Sequence, residues 1–206
     1  MTRTLAAMAM IALALITAVL GGYVFAVFVA AAATMMYFEW SRLVRGWGAG
    51  WYVGGFIYAL VPALAVLWIR EVPYVGLSMI VWVFVIVWST DIGAFFAGRA
   101  IGGPKLAPSV SPNKTVAGLV GGMVSAGLAG WAWADFSGLP PVFLWLGAPL
   151  AAAAQAGDLF ESWLKRRAKA KDSGTWLPGH GGLLDRVDGL VVVAPLTAYI
   201  FAGLVR

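Results

Sequence analysis

Apolar residues run through this chain in seven long stretches, roughly residues 5–20, 23–38, 51–69, 74–90, 116–134, 142–157 and 187–205. None shows the strict alternation of a half-buried strand, and none keeps the polar face of a soluble amphipathic helix. Their lengths approach the roughly 20 residues that a helix needs to cross a bilayer. A membrane barrel would show shorter segments of alternating polarity instead. The pattern predicts an all-α, polytopic integral membrane protein with about seven transmembrane helices in one domain, residues 1–206. Only Gly21 and Gly22 part the first two stretches, which predicts a tight helical hairpin. A signal peptide is the competing reading of the first stretch, one Arg and then an apolar run. The second apolar run follows at once, which suits the hairpin better.

Composition agrees with lipid as the main solvent. Of the 206 residues, 62% are hydrophobic and 11% charged, too few charges to dress the surface of a soluble domain. Disordered chains have the opposite bias. The 11 Trp and 6 Tyr supply interfacial anchors, and the 26 Gly suit helices that pack closely. With no Cys there is no disulfide framework and no thiolate metal site.

The net charge is +5, and its placement sets the orientation. Arg42 and Arg45 lie in the 39–50 loop, Arg99, Lys105 and Lys114 in the 91–115 loop, and Lys165, Arg166, Arg167, Lys169, Lys171 and Arg186 in the 158–186 loop. With seven spans these loops share a side with Arg3. By the positive-inside rule that side is cytoplasmic. The expected location is the inner, cytoplasmic membrane, with the polar segments facing the cytoplasm.

Two of those segments carry candidate chemistry. The first is DIGAFFAGRAIGGPKLAPSVSPNKT, Asp91 to Thr115. Asp91 closes an apolar helix, where an acid is costly and marks a site or a buried pair. Gly98, Gly102 and Gly103 are expected to break the helix, and Pro104, Pro108 and Pro112 to prevent another from starting. A loop with free amides, hydroxyls and cations suits phosphate, and Ser111–Thr115 leads into the positive end of the next helix. The same residues also fit a plain basic loop beside anionic lipid.

The second segment runs from Gly157 to Leu190. Asp158, Glu161, Ser162 and Lys165 sit at i, i+3, i+4 and i+7, so a continuing helix points all four to one place. Arg166, Lys169 and Asp172 lie around that helix, closer to water. The helix is expected to stop near Asp172–Gly174, before the turn at Pro178 and Gly179. His180, the only histidine, precedes Gly181 and Gly182. Asp185 and Asp188, at i and i+3, can face one site at the mouth of the last span. Oxygen donors without Cys argue for a hard cation, and Mg²⁺ is typically held by one or two carboxylates plus substrate phosphates. Carboxylates beside many cations suggest phosphoryl or nucleotidyl chemistry.

At these residues the chain resembles a known family. The run SWLKRRAKAKDSGTWLPGHGGLLDRVD, Ser162 to Asp188, is similar to the signature of the phosphatidate cytidylyltransferases, the CDP-diacylglycerol synthases. The matching positions are Ser162, Lys165, Arg166, Lys171, Asp172, Pro178, His180, Gly181, Gly182, Asp185, Arg186 and Asp188. The run Asp91–Thr115 resembles the companion motif, with KLAP at Lys105–Pro108 and Asn113 where the family commonly has Lys. The resemblance implies the reaction of CTP with phosphatidic acid to give CDP-diacylglycerol and pyrophosphate. It implies a Mg²⁺-dependent enzyme, with room for a second cation, whose metal ligands match Asp158 and Asp185. Lys165, Arg166, Lys171 and Arg186 would then hold phosphates, with Ser162 beside them. Ser111, Lys114 and Thr115 would contact nucleotide or lipid phosphate, and Asp188 and Asp91 would tune the site. His180 would touch phosphate or brace the glycine turn. The implied partners are CTP, phosphatidic acid and the bilayer, with a homodimer as the candidate assembly and no nucleic acid. The alternatives are a related enzyme on another lipid, such as a CDP-archaeol synthase or a CTP-dependent polyprenol kinase, and a small transporter. Transport predicts acids spread through the bilayer depth, whereas these gather at the ends of the apolar runs.

Overall fold

The computed structural model describes residues 2–174 and 181–204. Its elements, in chain order, are α1 (Thr2–Leu20), α2 (Gly22–Leu43), α3 (Ala49–Arg70), α4 (Gly76–Ala100), β1 (Lys105–Ala107), β2 (Ser111–Thr115), α5 (Val116–Phe136), α6 (Phe143–Arg167) and α7 (Leu184–Leu204). The fold is helical, as the apolar stretches predict, apart from one small antiparallel hairpin. Five helices, α2 to α5 and α7, are long and apolar enough to cross a membrane. In α1 the apolar helix is shorter, Met8–Leu20.

The predicted turn between the first two helices is present, with Gly21 at φ 64°. Arg70, at the end of α3, donates from Nε to Ala18 O at 2.6 Å and from Nη2 to Val19 O at 3.2 Å. It thereby satisfies carbonyls that the end of α1 leaves without helical partners. The core is built on α4. Trp82 is fully buried, donates from Nε1 to Gly130 O at 2.9 Å, and meets Phe143 edge-on at 5.0 Å.

Three expected boundaries shift, each for a local reason. The helix holding Asp91 does not end there but continues to Ala100, with Gly98 inside it. Gly98 lies against Gly118 and Thr115 at the seam between α4 and α5, so it serves close packing and not termination. The segment after it is not a bare loop. Lys105 pairs with Thr115 and Ala107 with Ser111, and Val116 N returns to Pro104 O at 2.9 Å. Helix α6 stops at Arg167, before Asp172. Lys169 takes φ 54° while its N–H reaches Arg166 O and the Ala170 N–H reaches Lys165 O. That is the left-handed double-bonded stop usually made with Gly, so no glycine signals it in the sequence.

A seam of small residues brings α4 and α5 together. A Cβ on Gly122 would lie 2.9 Å from Thr90 O, and one on Gly118 would lie 3.0 Å from Ala94 O. Gly122→Leu is therefore expected to destabilise the bundle by about 1–3 kcal/mol through overpacking, read as a lower unfolding midpoint in detergent. Gly54→Ala, at a position with nothing within 4 Å of the added Cβ, should leave that midpoint at or above the parent value.

Candidate functional site

The three basic segments meet at one end of the bundle. Glu39, near the end of α2, accepts hydrogen bonds from Leu183 N and Leu184 N, both at 2.9 Å. Arg166, at the end of α6, donates from Nε to Val110 O in the hairpin at 3.3 Å. Lys114 of β2 forms an ion pair with Asp158 of α6. The opposite end holds the α1–α2 turn, against which Arg70 rests. The charge pattern places these basic segments on one side, and the contacts bring them together.

Between α4, α5, α6 and the hairpin lies an open cavity of about 190 Å³, lined by Asp91, Asn113, Lys114, Thr115, Gln155 and Asp158 among others. Each lining group arrives for a structural reason. Thr115 caps α5, its Oγ1 accepting from Gly118 N at 3.0 Å. That cap fixes the hairpin on the helix and sets Lys114 beside the cavity. Gly157 lets α6 approach α7, since a Cβ there would lie 2.7 Å from Asp188 O. Asp158, the next residue, takes a hydrogen bond from Ser162 Oγ at 3.3 Å. Asp91, Asp158 and Asp188 lie within electrostatic reach of one another and of Lys114, and Arg186 is within reach of Asp91.

A second cluster sits on the other flank of α6. Lys165 Nζ meets Asp185 Oδ1 at 2.5 Å and Glu161 Oε1 at 3.1 Å. Asp185 Oδ2 accepts from Ser173 N, Ser173 Oγ and Gly182 N, each at 2.9 Å. Ser173 Oγ also lies 3.0 Å from Glu39 Oε2. The two carboxylates, Glu39 and Asp185, thus hold Ser173, Gly182 and Leu183 together at the start of α7.

The face expected to point to one place is divided. Asp158 and Ser162 look toward the hairpin and Lys114, while Glu161 and Lys165 look toward α7 and Asp185. The Asp185–Asp188 pair divides likewise. Asp185 joins the second cluster, and Asp188 stands near Asp158, Asp91 and Glu161. The cause is that two neighbours, a hairpin and a helix, pack on adjacent sides of one α6 face. Thr115 lines the cavity but also serves as the helix cap. Ser111 opens β2 and is not among the lining residues, and Lys171 is exposed with no described contact drawing it to the cavity. His180 lies outside the described residues, as does Pro178.

Sequence reasoning missed Glu39, which is 0% exposed and anchors the second cluster. Its signal was an acid just past an apolar run. It also missed Tyr58, whose buried hydroxyl has no hydrogen-bond partner among the described residues and lies near Glu161, Asp188 and Asp158. Nothing in the local pattern of α3 marks that tyrosine.

The donors suit a hard cation, being carboxylate oxygens without thiolate. Among the described residues no three acids or histidines converge closely enough to hold a metal alone. Asp158 offers its carboxylate to the cavity. Asp185 already accepts four protein donors, so a cation there would have to displace Lys165. The arrangement fits a cation completed by the oxygens of a bound phosphate.

Comparison with known proteins matches residues 45–204 to the Cytidylyltransferase family. The chain is 46% identical over 181 residues to the phosphatidate cytidylyltransferase of Brucella suis biovar 1, covering 85% of this chain and 64% of that protein. It is 43% identical over 137 residues to the phosphatidate cytidylyltransferase of Bacillus subtilis, covering 65% and 51% respectively. For the phosphatidate cytidylyltransferase of Haemophilus influenzae the identity is 41% over 136 residues, covering 63% and 47%. The chain thus spans less than two thirds of the length of these three relatives.

The Glu39 clamp yields a prediction about stability. Glu39→Ala leaves two buried amides, Leu183 N and Leu184 N, without their acceptor, an expected loss of about 2 kcal/mol or more. Glu39→Gln keeps one acceptor oxygen and should lose less. Thermal unfolding in detergent checks the order, parent above Gln above Ala, and equal midpoints would show that the clamp carries no stability.

Proposed function

The chain belongs to the cytidylyltransferase family, and on that premise we propose that it carries out CTP-dependent cytidylyl transfer to phosphatidic acid at the membrane surface. The observation that carries this reading is the Lys114–Asp158 pair on the wall of the cavity. In a low-dielectric site a carboxylate and an ammonium hold each other until a stronger partner arrives. A nucleoside triphosphate is such a partner for Lys114. Its arrival frees the Asp158 carboxylate to face a cation and the incoming phosphates.

In the proposed reaction an oxygen of the phosphatidate phosphate attacks the α-phosphorus of CTP. A phosphorus–oxygen bond forms there, the bond from the α-phosphorus to the bridging oxygen breaks, and pyrophosphate leaves with that electron pair. Phosphatidate is already anionic, so the site does not need a strong base. Lys114, with Arg186 and Arg166 at the rim, would oppose the charge of the assembled phosphates. Asp158 would hold Mg²⁺ together with oxygens of the bound phosphates, and Asp91 and Asp188 would set the field around it. The cation supplies charge neutralisation to the transferring phosphoryl group. Lys165 holds Asp185 and Glu161 in place and thus orders the start of α7.

The reading includes a topology: seven spans, the amino terminus and the three basic segments in the cytoplasm, and CTP arriving from that side. Exposed positions test it. Single cysteines at Ser109 and Asp172 should react with a membrane-impermeant reagent only from the cytoplasmic side, and one at Asp135 only from the other. Reaction of Ser109→Cys and Asp172→Cys from opposite sides would break the seven-span arrangement.

Activity is tested with purified protein, CTP, phosphatidic acid and Mg²⁺. Label on the α-phosphate of CTP should enter lipid and label on the γ-phosphate should leave as pyrophosphate. Entry of the γ-label would instead identify a lipid kinase. Asp158→Asn should lower turnover by about 100-fold or more while the protein still inserts and folds. Lys114→Arg keeps the charge but not the compact ammonium, and should raise the CTP requirement sharply. Parent-like behaviour of Lys114→Arg across a CTP titration would remove Lys114 from nucleotide binding.

A further inference from the structure

At the end of α6, away from the cavity wall, the guanidinium of Arg167 lies over three indole rings. Its Cζ is 4.8 Å from the Trp47 ring, 5.0 Å from Trp51 and 5.5 Å from Trp163. Trp47 and Trp51 meet edge-on at 4.8 Å. Trp51 is held further by Trp40, whose Nε1 donates to Trp51 O at 2.8 Å. Among the described residues no hydrogen bond or ion pair engages the Arg167 guanidinium. Its faces rest on aromatic rings, while its five N–H donors have no acceptor among the described residues.

The rings shield the cation from water on its faces, which raises the gain from an anion at its edge. A planar fork of N–H donors matches phosphate oxygens. The apolar surroundings decide which phosphate. Phe160, Trp163 and Arg167 sit at i, i+3 and i+7 on α6, so they form one line along the helix. Phe160 and Trp163 stack at 5.8 Å and are 40% and 36% exposed. A free phosphate has no use for that strip, whereas an acyl chain lies along it with the headgroup at Arg167.

We propose that Arg167, seated on Trp47, Trp51 and Trp163, binds the phosphate of an anionic diacyl phospholipid whose acyl chain runs along Trp163 and Phe160. This site lies outside the cavity assigned to CTP and does not depend on that assignment.

The test uses the full chain in detergent, titrated with dioleoyl phosphatidylglycerol and followed by native mass spectrometry. Phosphatidylglycerol is not the substrate of the proposed reaction, so this measurement and the activity assay fail separately. The parent should retain a saturable lipid, and Arg167→Gln should weaken it about tenfold, as loss of one charge-assisted contact predicts. Lys169→Gln, which removes a nearby exposed charge, should change the affinity by less than about twofold. Arg167→Lys keeps the charge but not the fork, and should also bind more weakly than the parent. Equal losses for Arg167→Gln and Lys169→Gln would reduce the effect to general attraction and overturn the site. Parent-like affinity in a folded Arg167→Lys would do the same, and this decides the matter if Arg167→Gln fails to fold. Displacement of the lipid by millimolar inorganic phosphate would assign the seat to free phosphate and overturn the lipid reading.

Discussion

Glu39 is a carboxylate with no exposed surface, near the end of a largely apolar helix. Such a group is tolerable only if donors reach it. Its donors are Leu183 N and Leu184 N, from the far side of the chain, with the Ser173 hydroxyl shared between it and Asp185. The charge on α2 can be buried only when Leu183 and Leu184 bring their amides to it. That contact places the start of α7, and Asp185 with it, where Lys165 can reach. Much of the polar end of the bundle is therefore organised around acids that the membrane does not accept unpaired.

The same constraint explains why the charges pair across elements. Lys114 leaves the hairpin to meet Asp158 on α6, and Lys165 leaves α6 to meet Asp185 on α7. Each pair neutralises two groups that would be costly alone at the end of a span. The pairs differ in what surrounds them. Asp158 faces an open cavity with few other donors, so its partner can be exchanged. Asp185 is tied by four donors and serves as a structural corner. Close helix packing makes both arrangements reachable, since Gly157 brings α6 against α7 and Thr115 pins the hairpin to α5.

The helical character of the chain and the grouping of its basic segments were legible in the sequence. Apolar runs and cation placement act locally or through the bilayer, and need no knowledge of which helices touch. The gathering of Asp158, Lys114, Lys165 and Asp185 at the polar end of the bundle was also legible, because charged groups beside apolar runs must find partners there. The tertiary structure alone decided how those groups are shared. Residues at i, i+3, i+4 and i+7 define a face of about a quarter turn or more, and a face that wide can meet two neighbours. Here it meets the hairpin on one side and α7 on the other, so the expected single cluster became two. Glu39 and Tyr58 were beyond local reading for the same reason. Their significance comes from partners a hundred or more residues away, and only packing brings those distances to hydrogen-bond and electrostatic range.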